Sequence, residues 1–281
     1  MHAQVIDNGT AGLSDVLGPL IQNATDVKMA VAFASRDGIA LLRPSLDAAL
    51  ANSAHVEFLV GLDMHGTETN ALRDLFDLSK DSGNAALYCY LSSSSGTIYH
   101  PKIYLARAYD ESSVVIGSSN LTRGGLKSNI EANVLLKGAF LDETIAGAYE
   151  VYDRLKFMGG RVEPDEELLS IYGELCAEAS TLRKAAAQGK IRELTGRLKG
   201  KFQTLHPPER KRSDLFGWLE AVYDALPDGQ FTNEDIYRQK DSFLKYYPDN
   251  KNVEAKIRQQ LQVLRNLGFI AHLDKGLWQR L

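Results

Sequence analysis

Cysteine is almost absent from this chain: its 281 residues hold two, Cys89 and Cys176, far apart in segments that read as a strand and a helix. Two such thiols make no disulfide framework, and a reducing compartment is the expectation. Long apolar runs are missing as well. No stretch approaches the ~18 continuous apolar residues of a membrane span, and Met1-His2-Ala3-Gln4-Val5-Ile6-Asp7 lacks the basic segment and apolar core of a signal peptide. Together these absences point to a cytoplasmic protein with no membrane partner. A strong net charge is also lacking. With 32 Lys and Arg against 36 Asp and Glu the balance is −4, so a polyanion would have to be held by local charge rather than by the field of the whole chain. No internal repeat is visible. Neither Cys/His zinc spacing nor an Asp/Glu/Lys cluster of the two-metal kind occurs, so no metal and no cofactor are expected. Asp63, after the run His55 to Val60, is the nearest candidate ligand and reads better as a strand-ending turn residue.

What the chain does have is a hydrophobic content of 44%, enough for one large or two moderate cores. Strand-like runs at 27–34, 56–62, 85–91, 98–105, 114–116 and 132–136 alternate early with helical patterns around 40–50 and 71–78. That order predicts an α/β layered sheet with helices. Residues 140–154 read as a closing helix, and Met158-Gly159-Gly160 with Pro164 marks a break. A helical connector follows, and His206-Pro207-Pro208 introduces the last part. The expected divisions are 1–160, 161–205 and 206–281. Between 181 and 212 ten basic residues (Arg183, Lys184, Lys190, Arg192, Arg197, Lys199, Lys201, Arg210, Lys211, Arg212) face two acidic ones, Glu193 and Glu209. Such a stripe suits a phosphate backbone, and equally a solvated helix and hinge.

Chemistry concentrates between Tyr99 and Leu136. There the chain runs through His100-Pro101-Lys102, Gly117-Ser118-Ser119-Asn120 and Glu131. Imidazole is the side chain best suited to act as nucleophile or proton carrier near neutral pH, and a carboxylate on its second nitrogen fixes its tautomer. Glu131 can hold His100 in this way. A phosphodiester under attack builds negative charge on its oxygens, which a fixed ammonium and amide donors stabilise; Lys102 and Asn120 are the candidates. His100 and Lys102 stand two apart in the run 98–105, so a strand would put both on one face. Taken singly, a His-x-Lys is usually a solvated strand face and Gly-Ser-Ser-Asn an ordinary turn.

His-x-Lys, then Gly-Ser-x-Asn, then Glu resembles the motif of the phospholipase D superfamily, and Leu121-Thr122-Arg123-Gly124-Gly125-Leu126 is similar to the run many members carry there. The resemblance covers roughly residues 25–155. One position departs: the family's Asp five residues after the Lys is Arg107 here, a departure shared with the single-motif restriction nucleases. The resemblance implies a phospholipase D-like sheet, a catalytic set of His100, Lys102, Ser118, Asn120 and Glu131, a phosphohistidine intermediate and no metal. It also implies two histidines per site. None of His2, His55, His65, His206 and His272 has a Lys two residues later, so a homodimer with its active site at the two-fold interface is expected.

Residues 213–281 read as a winged helix. A helix with Leu215, Trp218, Leu219, Val222 and Tyr223 leads to a second one capped by Thr232 or Asn233. A third runs from Val253 to Leu267, and a hairpin spans Gly268 to Arg280 with its tip at Asp274-Lys275-Gly276. Helix, helix, recognition helix and wing is a DNA-reading order. The run Lys256 to Gly268 is similar to the C-terminal domain of the Dam-replacing restriction enzymes, and the likeness extends over roughly 231–280. It implies double-stranded DNA as partner, with N6-methyladenine as the mark that is read. Arg and Gln pair with guanine and adenine edges; the candidate contacts are Asn252, Lys256, Arg258, Gln259, Gln262 and Lys275. Trp278 is expected to pack on the core. The combined expectation is a metal-independent DNA endonuclease of restriction type. The alternatives are a phospholipase D-type lipid phosphodiesterase and a DNA-binding regulator whose nuclease domain is inactive.

Overall fold

A computed structural model of the chain describes residues 1–9, 11–92, 97–109, 111–187, 190–204, 212, 215, 217–246, 248 and 250–281. His206-Pro207-Pro208, Arg210, Lys211 and Ser213 lie outside the described residues. The chain divides into two compact units, Met1–Arg192 and Glu193–Leu281.

The first unit contains, in order, β1 (His2–Asp7), α1 (Leu13–Gln22), β2 (Asp26–Val31), α2 (Arg36–Ala51), β3 (His55–Gly61), α3 (Thr69–Asp81), β4 (Ala85–Tyr90), β5 (Lys102–Ala108), β6 (Glu111–Gly117), β7 (Ala132–Ala139), α4 (Glu143–Phe157), β8 (Arg161–Val162) and α5 (Glu166–Ala187). The eight strands form one mixed sheet in the order β1-β7-β6-β5-β2-β3-β4-β8. β2, β3 and β4 run parallel, as crossover helices require, and every other pairing is antiparallel. Alternation along the central strands sorts the side chains into two layers. Val27, Met29, Val31, Val56, Phe58 and Val60 pack with the helix residues Leu17, Leu42, Leu46, Leu72 and Leu75 on one face. Ala30, Leu59, Leu105 and Val114 meet Ile145, Tyr149 and Tyr152 of α4 on the other. Parallel strands covered on both faces are apolar on both, which is why 27–34 and 56–62 read as near-continuous hydrophobic runs.

The sheet differs from expectation at three places, one of them β8, which pairs with β4 where a break was expected. β1 and α1 lie ahead of the first anticipated element, and β1 forms an edge by pairing with β7, His2 opposite Lys137 and Asp7 opposite Ala132. β5 begins at Lys102, so His100 stands in the loop before the strand rather than within it. Pro101 explains the shift: it has no N–H for an antiparallel ladder, and only its carbonyl takes part, accepting from Ala32 N at 2.9 Å.

α6 (Lys190–Thr204) crosses the division between the units. The second unit then holds α7 (Trp218–Asp224), β9 (Gln230–Thr232), α8 (Asn233–Tyr237), α9 (Lys240–Tyr246), α10 (Val253–Leu267), β10 (Ile270–Asp274) and β11 (Leu277–Arg280). Its core joins Leu215, Val222, Phe231, Ile236 and Phe243 to Ile257, Leu261 and Leu264 of α10 and to Trp278. Thr232 caps α8 through a reciprocal pair with Asp235, Gly268 ends α10 in the left-handed conformation with φ 75°, and β10 and β11 form a hairpin whose second strand also pairs with β9. α9 was not anticipated. Among the described residues, no helix is long and apolar enough to cross a membrane.

Phe58 is fully buried on the central strand β3. Phe58→Ala is expected to destabilise the first unit by about 3–5 kcal/mol, read as a lowered denaturant midpoint in circular dichroism.

Candidate active site

Four strand ends converge at one edge of the first unit's sheet. Register sets Val31, the last residue of β2, opposite Lys102, the first of β5, Ile103 opposite Ile116, and Gly117, the last of β6, opposite Asn133 near the start of β7. The sequence segments around 100, 118 and 131 meet because of this register.

His100 and Lys102 are in contact. Lys102 Nζ lies 2.7 Å from Nδ1 and 3.1 Å from Nε2 of the imidazole, and donates to the His100 carbonyl at 3.1 Å. The ring is exposed while the lysine beneath it is only 7% exposed. Burial pushes the His100 pKa below the usual 6.5, and the Lys102 cation pushes it further the same way. Burial also lowers the Lys102 pKa, opposed by the negative charge of Glu131. A neutral imidazole beside an ammonium donor offers a lone pair for attack at neutral pH. The Phe33 ring stands edge-on to it at 5.6 Å.

Asn120 Oδ1 accepts from Phe33 N at 3.2 Å, so the NH₂ end of the amide remains a donor for an anion. The loop carrying Asn120 is fixed from below by Asn133, which is 2% exposed. Its Nδ2 donates to Ser119 Oγ at 2.9 Å and its Oδ1 accepts from Ser119 N at 3.3 Å. Tyr104 OH donates to Ser119 O at 3.0 Å. Gly117 is required here: a Cβ would lie 2.3 Å from Asn133 Oδ1 and 2.4 Å from Ala132 O. Neither Asn133 nor Tyr104 was anticipated, although their place in alternating apolar strands, as polar groups at inward positions, is a signal that could have marked them.

Ser118 and Glu131 come together, but not as expected. Ser118 Oγ donates to Glu131 Oε2 and accepts from Ala132 N at 3.0 Å, and the second Glu131 oxygen accepts from Asn129 Nδ2 at 3.3 Å. Glu131 therefore does not hold His100 within the chain. Strand order is the reason, because β6 separates β5 from β7 and Glu131 neighbours the end of β6 instead. Asp63 gives its carboxylate to Ser92 and Tyr99. Among the described residues no three His, Cys, Asp or Glu side chains converge as a metal site.

In the second unit, α10 turns Val253, Ile257, Leu261 and Leu264 inward and leaves Asn252, Arg258, Gln259 and Gln262 exposed, with Lys256 half-buried. Arg258 donates to Tyr237 OH at 2.8 Å and lies 5.8 Å over the same ring, which steadies a long cation in place. Lys256 donates to Gln259 Oε1 at 2.9 Å. Lys275 is exposed at the hairpin tip. Trp278 is buried and donates to Asn233 Oδ1 at 2.8 Å, as expected of a core residue. Arg212, counted in the basic stripe, is bound to Asp224 and Glu220 and offers little charge to a phosphate.

Residues 20–153 match the family model described as "Cardiolipin synthase, PLD-like domain", and residues 214–280 match that described as "Dam-replacing HTH domain". The chain carries a phospholipase D-like domain and a Dam-replacing winged-helix domain. Similar solved structures include NucT from Helicobacter pylori, at 17% identity over 58% of this chain and 99% of that one with a TM-score of 0.44. The phospholipase D family member Nuc from Salmonella typhimurium is 19% identical over 55% and 91%, with a TM-score of 0.42. A phosphatidylserine synthase from Haemophilus influenzae is 15% identical over 65% and 45%, with a TM-score of 0.46.

In the phospholipase D-like domain the departing Arg107 stands five residues along β5 from Lys102, about 16 Å away at the rise of a strand. It lies over the Phe140 ring at 4.5 Å, so this position lies too far from Lys102 for its side chain to act at the imidazole. The imidazole itself is expected to titrate below 6.5 in NMR of the labelled chain. Lys102→Met should move that midpoint upward, since it removes the cation and leaves the burial; an unchanged midpoint would show that the two groups are uncoupled.

Proposed function

We propose that the chain is a metal-independent DNA endonuclease of restriction type, and the observation that carries this reading is the His100–Lys102 contact. His100 attacks phosphorus, forming a P–N bond as the P–O bond to the leaving strand breaks. Lys102 and Asn120 take up the charge on the non-bridging oxygens. The partner subunit's His100, which takes up a proton as the phosphodiester anion binds against it, gives that proton to the leaving oxygen. That ring, now neutral, removes a proton from water, whose oxygen displaces the first imidazole and restores both groups.

A second copy supplies the second histidine, since the other histidines among the described residues lie on other elements. His55 Nδ1 lies 3.2 Å from Asn84 O, His65 lines an apolar groove with Cys89 and Ile171, His272 packs on Trp278 at 4.6 Å, and His2 starts the edge strand β1; His206 lies outside the described residues. A surface for the second copy adjoins the site. Val5, Val134 and Ile116 are cross-strand neighbours on one face, all exposed, and Ile130 beside Glu131 is fully exposed. A contiguous apolar row of this kind marks an interaction surface.

The winged-helix domain supplies the reader, with Asn252, Lys256, Arg258, Gln259, Gln262 and Lys275 toward DNA and N6-methyladenine as the mark that licenses cutting. The alternatives separate cleanly. A lipid phosphodiesterase would turn over a choline phospholipid and leave plasmid intact, and a regulator with an inactive domain would bind DNA without cutting it.

Plasmid with and without adenine methylation, incubated in EDTA, is the deciding assay. Cleavage of the methylated form alone is expected, and His100→Ala should abolish it while leaving DNA binding within about twofold; cleavage unchanged in that variant would reject the assignment. Val134→Glu should convert dimers to monomers in light scattering and remove cleavage with them, whereas a monomer that still cuts would disprove a shared site.

A further inference from the structure

The turn between β3 and α3 reaches His100 by two separate arms. The first is Asp63, 8% exposed. Its Oδ1 accepts from Ser92 N at 2.9 Å, and its Oδ2 accepts from Ser92 Oγ at 2.6 Å and from Tyr99 N at 2.7 Å. One carboxylate thus fixes the chain at Ser92 and again at the residue immediately before His100. Tyr99 is itself buried against Tyr90, ring centroids 4.8 Å apart. Burial alone would raise the Asp63 pKa, yet the bonds from Ser92 and Tyr99 hold it below its ordinary value, so the charged form is the one that does the holding.

The second arm is Gly66. A Cβ there would lie 2.2 Å from the Phe33 ring, the same ring that stands edge-on to His100. The turn is anchored at its own far side. Thr67 Oγ1 donates to Gly61 O at 2.8 Å and accepts from Ala34 N at 3.2 Å, and Tyr172 OH of α5 donates to Thr67 O at 2.8 Å. Between the arms Met64 and His65 hold φ 59° and 53°, a left-handed conformation that side chains of this kind rarely adopt and that persists where the surroundings enforce it.

Other roles for Asp63 fit less well. α3 has its N-cap at Glu68, so Asp63 is not its cap. Three hydrogen bonds already occupy its oxygens, which leaves little for a metal ion.

We propose that the β3–α3 turn is the positioning device of the imidazole, with Asp63 as the positioning residue that holds Tyr99 and so aims His100. Its activity readout rests on the nuclease reading. Asp63→Ala in the full chain is expected to lower kcat about 100-fold, the scale of a 1 Å misplacement of a reacting group, with KM for plasmid within about twofold. Asp63→Asn, which keeps one of the two oxygens, should lower kcat by about tenfold rather than 100-fold, and Gly66→Ala should lower kcat without touching Asp63. Undiminished kcat in Asp63→Ala, or a loss confined to KM, overturns the proposal. So does a loss no larger than the unfolded fraction seen in a thermal melt. If Asp63→Ala does not fold, Asp63→Asn decides, and full activity in it is again fatal. Should the parent chain cleave no phosphodiester, the nuclease reading has failed on its own. Positioning is then decided by NMR of the His100 ring, whose signals must move in Asp63→Asn; signals left in place overturn it.

Discussion

A buried ammonium under an exposed imidazole is the constraint on which the rest of this site depends. Moving a lysine charge out of water costs several kcal/mol, and Lys102 tolerates it because acceptors are supplied at close range: one ring nitrogen of the neutral imidazole, the His100 carbonyl and the nearby charge of Glu131. The same arrangement pushes the imidazole pKa down and holds the ring against the lysine. Each neighbouring element serves to hold that pair still. Pro101 ends the loop, Phe33 packs the ring from the side, and Asp63 fixes the residue before it.

The sheet converts this local pairing into a site. β6 lies between β5 and β7, so the Gly-Ser-Ser-Asn loop is delivered beside the imidazole while Glu131 is delivered to Ser118. Asn133 then locks the loop through Ser119, with both its donor and its acceptor satisfied in a buried place where an unmade hydrogen bond would cost about 1–3 kcal/mol. In the nuclease reading proposed above, donors held this rigidly need little reorganisation as charge develops on phosphate, the main way such a barrier is lowered.

The second unit solves a different problem with the same economy of means. α10 buries one apolar stripe and leaves a face of Arg, Gln and Asn exposed, and Tyr237 restrains the Arg258 guanidinium before any partner arrives. An ordered cation loses less freedom on binding than a free one. The turn residues agree with the fold at each point, Thr232 as a cap, Gly268 beyond the helix and Gly276 at φ 72° in the hairpin tip.

Local order along the chain was enough to lay out the winged-helix order of the second unit, because helix periodicity and turn chemistry act over a few neighbouring residues. His100, Lys102, Ser118 and Asn120 stood out as a candidate set only through the family resemblance. Local order was not enough for β1, which pairs with a strand some 130 positions on, or for the late start of β5 at Lys102 rather than 98, which leaves His100 in a loop. What Glu131 touches was likewise beyond it, since that depends on which strand lies between two others. Asp63 makes the same point: its spacing reads as a turn residue, and only the packed structure brings Ser92 and Tyr99 to its carboxylate. Residue types and their short-range spacing fixed the chemistry available to this protein, whereas long-range strand pairing, whose partners are distant in sequence, decided which of those groups hold one another.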